Sequence, residues 1–321
     1  MVYMYGYENR DSTLVVDGKF RFVGSVDTAD IRALTLEQFH HIIILENGKI
    51  SVNMAEPNSA KGTPMNNELS KYQAELSAII DAAQEEHAKI EKNQNEDDET
   101  RQKQADKTTK FYNAKIDTLC TNVFNANKNN VLGAFVLLNT SYYLEPEKLN
   151  LLYSQAGDIV RRDRELQKII KINAKAIQTA EGKPFTDFTI ENGNLDGSKV
   201  SFSDYVGKGK YVLVDFWASW CEPCIAEIPV ILEVYNKYKG DKFDVLGVAV
   251  MDKREATLKS IERYNTPWSQ ILDGGDIHNT LYGIRGIPYI ILFSPDGTIV
   301  ARDLRGDRLK AKVEEVMCDC N

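Results

Sequence analysis

Residues 215–224 read DFWASWCEPC, placing two of the chain's five cysteines three positions apart. Residues i and i+3 of a helix share a face, so Cys221 and Cys224 can bring their sulfurs together within one turn. The pair falls where a strand-like pattern becomes a helix-like one. A helix N-terminus offers unpaired N–H groups and the positive end of the helix dipole, which favour a thiolate at the first cysteine. Pro223 suits a first helical turn, where its missing N–H is no loss. Cys224, one turn further in, is expected to be the more shielded thiol. The chemistry predicted is thiol–disulfide exchange: Cys221 attacks a partner disulfide, and Cys224 releases the product by closing the ring.

Two other readings compete. Structural zinc needs four ligands, and neither Cys120, Cys318 and Cys320 nor the four histidines (His40, His41, His87, His278) show matching spacing. An inert buried pair has no need of Trp-Cys-x-Pro-Cys at a strand-to-helix turn. Carboxylates flank the pair. Asp215 is the polar residue of a strand that otherwise reads as buried, so its pKa should be raised and it is available as a proton acceptor through a water. Glu227 lies three residues after Cys224, and spacing alone leaves both an active-site acid and an exposed helix glutamate open. Glu222 places a negative charge next to Cys221, which disfavours the thiolate and tilts the couple toward a reductant.

These residues need elements to hold them. Beyond Gly182-Lys183-Pro184 strands and helices alternate: strand 211–217, helix 221–238, strand 243–250, helix 254–264, short helix 277–282, strands 289–293 and 299–303, helix 308–316. That order predicts an α/β sheet with helices on both faces, ending in a hairpin at Ser294-Pro295-Asp296-Gly297. The chain begins differently. Short β-type runs at 12–16, 20–23, 42–45 and 50–52 are separated by Asp17-Gly18 and Asn47-Gly48, dipeptides suited to tight hairpins. After Gly62-Thr63-Pro64 the period becomes helical, with stripes at Leu69, Tyr72, Leu76, Ile79 and at Tyr112, Ile116, Cys120, Val123. EKNQNEDDETRQKQADK between them reads as a solvated helix or loose connector. Further helices are expected to 180, one from near Pro146 and one from about Asp158. The predicted domains are an antiparallel β module at 1–63, a helical region at 64–180 and an α/β domain at 181–321.

At 321 residues two or more domains are expected, and a net charge of −8 argues against a nucleic-acid partner. No apolar run approaches membrane-spanning length. MVYMYGYENRDSTLVV lacks a basic head followed by an apolar block, so either a cytosolic protein or an export segment outside the given sequence is expected. Five cysteines are too few for a disulfide scaffold. Cys120 reads as a core residue, Cys318 and Cys320 as an inert tail, His278 as part of a surface helix turn, and Trp268 as packing under a loop.

VDFWASWCEPC, with LYGIRGIPYIILFSPDG after it and GKPFTDFTIENGNLDGSKVSFSDYVGKGKY before it, resembles the thioredoxin-fold oxidoreductases. More narrowly, it is similar to the TlpA/ResA-like thiol–disulfide oxidoreductases related to AhpC/TSA proteins, over roughly residues 180–317. The resemblance implies a thioredoxin fold and a redox-active Cys221–Cys224 disulfide as the only redox group. It implies protein thiols and disulfides as partners, a periplasmic or cell-envelope location, a membrane thiol-reductant donor, and candidates in cytochrome c maturation, with apo-cytochrome c as substrate. It further implies that Pro288 is cis beside the disulfide, where the backbone at Ile287 pairs with substrate and Trp220 forms the rim. Taken alone, Pro288 reads as a strand-entry residue. Asp215 matches the buried aspartate that assists the second cysteine in thioredoxins, and Glu227 matches a glutamate carried beside the thiols in TlpA/ResA-like proteins. The first 63 residues resemble a β module of unknown function that precedes thioredoxin domains in envelope proteins.

An AhpC/TSA-type thiol peroxidase is the rival enzyme. It calls for Pro-x-x-x-Thr/Ser-x-x-Cys, and Val214 and Ala218 stand at the proline and threonine positions before Cys221. A non-catalytic envelope adaptor is the third reading, against which stands the intact Cys-Glu-Pro-Cys.

Overall fold

The computed structural model describes the chain except residues 7–8, 94 and 319–321. It divides into two compact units, Met1–Ile169 and Ile170–Asn321.

The first unit opens with β1 (Val2–Tyr5), β2 (Arg10–Thr13), β3 (Asp30–Leu36) and β4 (Phe39–Leu45). They form an antiparallel sheet in the order β2-β1-β3-β4, with Met4 opposite Leu34 and Leu34 opposite His41. The strands differ from those expected. Asp17-Gly18 does turn the chain, but only a single Val16–Lys19 bridge follows, and residues 20–23 join no ladder. Residues 50–52 likewise contribute only a Ser51–Lys61 bridge. The β3–β4 hairpin turns at Glu37, which takes φ 52°. Phe20 and Phe22 still pack on the small core of Leu34, Ile43, Met54 and Ala60.

Helices complete this unit: α1 (Pro64–Lys92), α2 (Asp98–Asn127), α3 (Val131–Thr140), α4 (Pro146–Ser154), α5 (Asp158–Arg161) and the first turns of α6 (Arg164–Gln178). The polar stretch from 91 to 107 is the end of α1, a short connector, and the start of α2, whose N-cap Asp97 accepts from Thr100 N. The helix expected from Asp158 is broken in two. The Asp163 carboxylate accepts from Leu166 N and starts α6 afresh. Asn66, fully buried at the start of α1, donates to Ile44 O and accepts from Ile44 N, closing the outer edge of β4.

The second unit holds the end of α6, then β5 (Thr189–Ile190), β6 (Val200–Ser201), β7 (Tyr211–Trp217), α7 (Glu222–Tyr238), β8 (Phe243–Ala249), α8 (Arg254–Tyr264), β9 (Ser269–Ile271), α9 (Ile277–Thr280), β10 (Tyr289–Phe293), β11 (Ile299–Ala301) and α10 (Gly306–Cys318). Its main sheet runs β11-β10-β7-β8-β9, parallel from β7 to β9 and antiparallel at β10 and β11. This is the thioredoxin fold. β9, too short and too polar to stand out in the sequence, extends the sheet past β8.

Side chains alternate across the central strand. Val212, Val214 and Phe216 join a core with Phe202, Tyr282 and Phe293, whereas Leu213 belongs with Ile228 and Ile231 of α7 and Leu309 and Val313 of α10. Asp215 and Trp217 share the parity of Leu213, and so face the side covered by α7. The turn at Gly182 (φ 80°) is fastened to β11 through Gly182 N and Ile299 O, 2.8 Å apart.

Candidate active site

Cys221 sits at the N-cap of α7 in extended backbone, and its Sγ accepts from Cys224 N at 3.2 Å. The two cysteines are joined as a disulfide. Both cysteines are buried, Cys221 keeping 4% of its surface open and Cys224 none. Pro223 occupies the first turn, where no helical amide bond is lost.

The segment before the nucleophile is held by the loop after β8. Val250 N donates to Trp217 O (3.0 Å), the Trp220 indole donates to Met251 O (2.9 Å), and Asp252 accepts from Ser219 N (2.6 Å) and Ser219 Oγ (3.0 Å). Thr257 Oγ1 and Lys253 N donate to the same carboxylate. Asp252 is a residue that sequence reasoning missed. A lone aspartate after a strand carries no motif, and its partner is 33 positions away. Trp217 is buried and donates to Gln270 Oε1 at 3.1 Å. Gly247 makes this possible, because a Cβ there would stand 2.0 Å from that oxygen. Trp220 is 60% exposed and forms the rim.

Asp215 is 2% exposed, and its Oδ1 has no hydrogen-bond partner. Burial, together with the Glu227 charge, pushes its carboxyl up to about 8. Glu227 is half-buried on α7, and its Oε2 accepts from Gly306 N (3.1 Å) at the start of α10. The glutamate thus has a structural bond and an electrostatic reach to Asp215. The Ile287–Pro288 peptide is cis. Pro288 is buried, and Ile287 packs against the cluster of Trp217, Ala218, Cys221 and Cys224. The structure therefore gathers Cys221, Cys224 and Ile287, sets Asp215 beneath the helix, and leaves Glu222 exposed on the surface.

The other flagged residues lie apart from this chemistry. Cys120 is fully buried and takes a bond from Thr140 Oγ1 (3.0 Å), and burial raises its thiol to about 11. Cys318 is an exposed free thiol, and Cys320 lies outside the described residues. His278 differs from expectation. It is fully buried rather than on the surface; its carbonyl accepts from Ile284 N (2.8 Å), and burial lowers its pKa. Trp268 is buried against Tyr235, ring centroids 5.7 Å apart. Among the described residues no three His, Cys, Asp or Glu are placed to hold a metal, and no helix is long and apolar enough to cross a membrane.

The AhpC/TSA family model matches residues 182–302, and a domain of unknown function (DUF4369) matches residues 1–69. The thiol-disulfide oxidoreductase ResA of Bacillus thuringiensis subsp. konkukian is 30% identical over 137 residues, covering 42% of this chain and 76% of that protein. The chain belongs to the ResA-type thiol–disulfide oxidoreductases. ResA of Bacillus subtilis is 29% identical over 38% of this chain and 65% of its own length. Among solved structures, the thioredoxin domain of a thiol-disulfide oxidoreductase from Bacteroides vulgatus is 40% identical, covers 43% of this chain and 97% of that one, and has a TM-score of 0.38.

Proposed function

We propose that this oxidoreductase reduces disulfides of protein substrates in the cell envelope, with Cys221 as nucleophile and Cys224 as resolving thiol. The observation that carries the reading is the Cys221–Cys224 disulfide, with Cys221 at the N-cap of α7, in a domain whose central strand holds a buried carboxylate that lacks a partner on one oxygen. In the reduced protein the Cys221 thiolate attacks one sulfur of the substrate disulfide, forms a mixed disulfide and expels the other as a thiolate that takes up a proton. Asp215 accepts the Cys224 proton through a water. The Cys224 thiolate then attacks Cys221 Sγ, expels the second substrate thiolate and leaves the protein oxidised. Two electrons pass to the substrate, and a membrane thiol-reductant donor restores the dithiol. Ile287, Pro288 and Trp220 receive the substrate backbone and its flanking side chains, and Glu227 sets the charge around Asp215.

The exposed Glu222 beside Cys221 supports the reducing direction, since its charge opposes the thiolate. Apo-cytochrome c, whose cysteines must be reduced for haem attachment, is the substrate class that resemblance favours. The peroxidase reading loses ground because Val214 and Ala218 are buried apolar residues where that chemistry needs proline and a hydroxyl. Cys224→Ser is the decisive variant. In an envelope extract it should accumulate mixed disulfides through Cys221 that dithiothreitol releases, and the captured proteins report both substrate and compartment. No captured protein at all would favour the adaptor reading.

A further inference from the structure

Ile287 offers its backbone N–H and C=O beside the disulfide, and neither makes a hydrogen bond among the described residues. An unpaired strand edge of this kind recognises an extended polypeptide by main-chain bonding. Such an edge binds well only when its peptide planes are already fixed, because ordering them on binding subtracts from affinity. Two residues of a distant turn grip the start of this strand, and the third residue of the turn ties it to α7. Leu304 N donates to Ile290 O (3.1 Å), Arg305 Nη2 donates to Pro288 O (2.8 Å), and Gly306 N donates to Glu227 Oε2 (3.1 Å). The guanidinium is itself held by Asp303 at 3.3 Å, with its side chain 48% exposed.

We propose that Arg305 is a positioning residue for substrate binding. By holding the carbonyl that follows the cis bond, it presents Ile287 to an incoming substrate strand in one orientation. The inference rests on the exchange reading above and adds a residue that touches neither sulfur. Pro288 carries the last main-chain carbonyl before β10 enters its ladder with β7, so a charge-assisted bond there stiffens the edge without touching Cys221. Sequence offered no hint, because Arg305 lies between the expected strand at 299–303 and the expected helix at 308–316.

The test uses the full chain and, as probe, a decapeptide with one glutathionylated cysteine. Arg305→Ala should raise KM about three- to tenfold, what a half-exposed charge-assisted hydrogen bond amounts to. The reduction potential of the 221–224 pair should stay at its wild-type value. Arg305→Lys, which still donates to the carbonyl, should recover most of the KM, and Arg305→Gln should fall between. If Arg305→Ala does not fold, the Lys and Gln variants carry the comparison. An unchanged KM, a loss confined to kcat, or a shifted potential overturns the assignment while leaving the exchange reading intact. A wild-type protein that does not reduce the peptide removes both.

Discussion

The two units each bury a polar side chain against a sheet, and they treat it in opposite ways. Asn66 is fully enclosed beside β4, and its amide is bonded to Ile44 N, Ile44 O and Thr63 Oγ1. Asp215, equally enclosed in β7, keeps Oδ1 without a partner and sits near a second carboxylate. A satisfied buried amide specifies how a strand edge is closed, and its worth is structural. An unsatisfied buried acid costs stability, and is tolerated where a proton must move. The sheets differ to match. Three of the four residues of β2 are exposed, whereas every residue of β7 after Tyr211 is buried. Only the second sheet, covered on both faces, can desolvate a carboxylate enough to bring its pKa near neutrality.

The largest effect expected is at the nucleophile. Cys221→Ser should lower disulfide reduction, followed with insulin, by roughly a thousandfold or more, and residual activity near wild type would move the chemistry elsewhere. Asp215→Asn comes next. It should slow resolution of the mixed disulfide by about a hundredfold, and it should remove the rise in rate that the wild type shows as pH climbs toward 8. The same variant tests stability. A carboxyl raised from 3.8 to about 8 binds its proton more tightly in the folded protein than in the unfolded one. Wild-type stability therefore falls as pH rises between those values. Asp215→Asn should be the more stable protein above pH 8 in urea unfolding, with the gap closing on acidification. A gap independent of pH would mean that Asp215 is not held protonated by its surroundings.

Asn66→Ala breaks the other half of the comparison. It strands the buried Ile44 amide and carbonyl and should cost about 2–4 kcal/mol, read by hydrogen exchange in β3 and β4, with disulfide reduction little altered. A comparable fall in reduction would show that the first unit takes part in the chemistry. The smallest effect is at Glu222. Glu222→Gln should make the couple more oxidising by about 10–30 mV, leaving it nearer thioredoxin than DsbA. No shift would remove the argument for a reductant drawn from that charge.

The second unit was legible because several signals coincide there. Tyr211–Trp217, Arg254–Tyr264 and Tyr289–Phe293 lie where the alternation of strand and helix put them, since apolar runs bounded by turn residues have little freedom to form anything else. Cys221, Cys224 and Pro288 stand in a motif dense enough to carry a family resemblance. In the first unit the same reasoning faltered. The turn dipeptide Asn47-Gly48 made a turn but no hairpin, and the Asn47 side chain bonds Val26 N and O instead. DIRALTL forms β3 despite its charges, because a half-exposed sheet tolerates them on the open face. Asp252 and Arg305 were invisible for another reason: each acts on backbone far away in the chain, through bonds that no local spacing encodes.

By itself, the amino-acid order determined that two thiols share the first turn of a helix, that a carboxylate lies in an apolar strand, and that strands and helices alternate around them. Those are local facts, set by periodicity, turn residues and the geometry of one helical turn. Only the folded chain decided that Asp215 is almost wholly buried, that Glu227 stands close enough to raise it further, and that Arg305 reaches Pro288. Desolvation and long-range hydrogen bonds belong to what surrounds a residue, and those surroundings are assembled from segments that the sequence keeps apart.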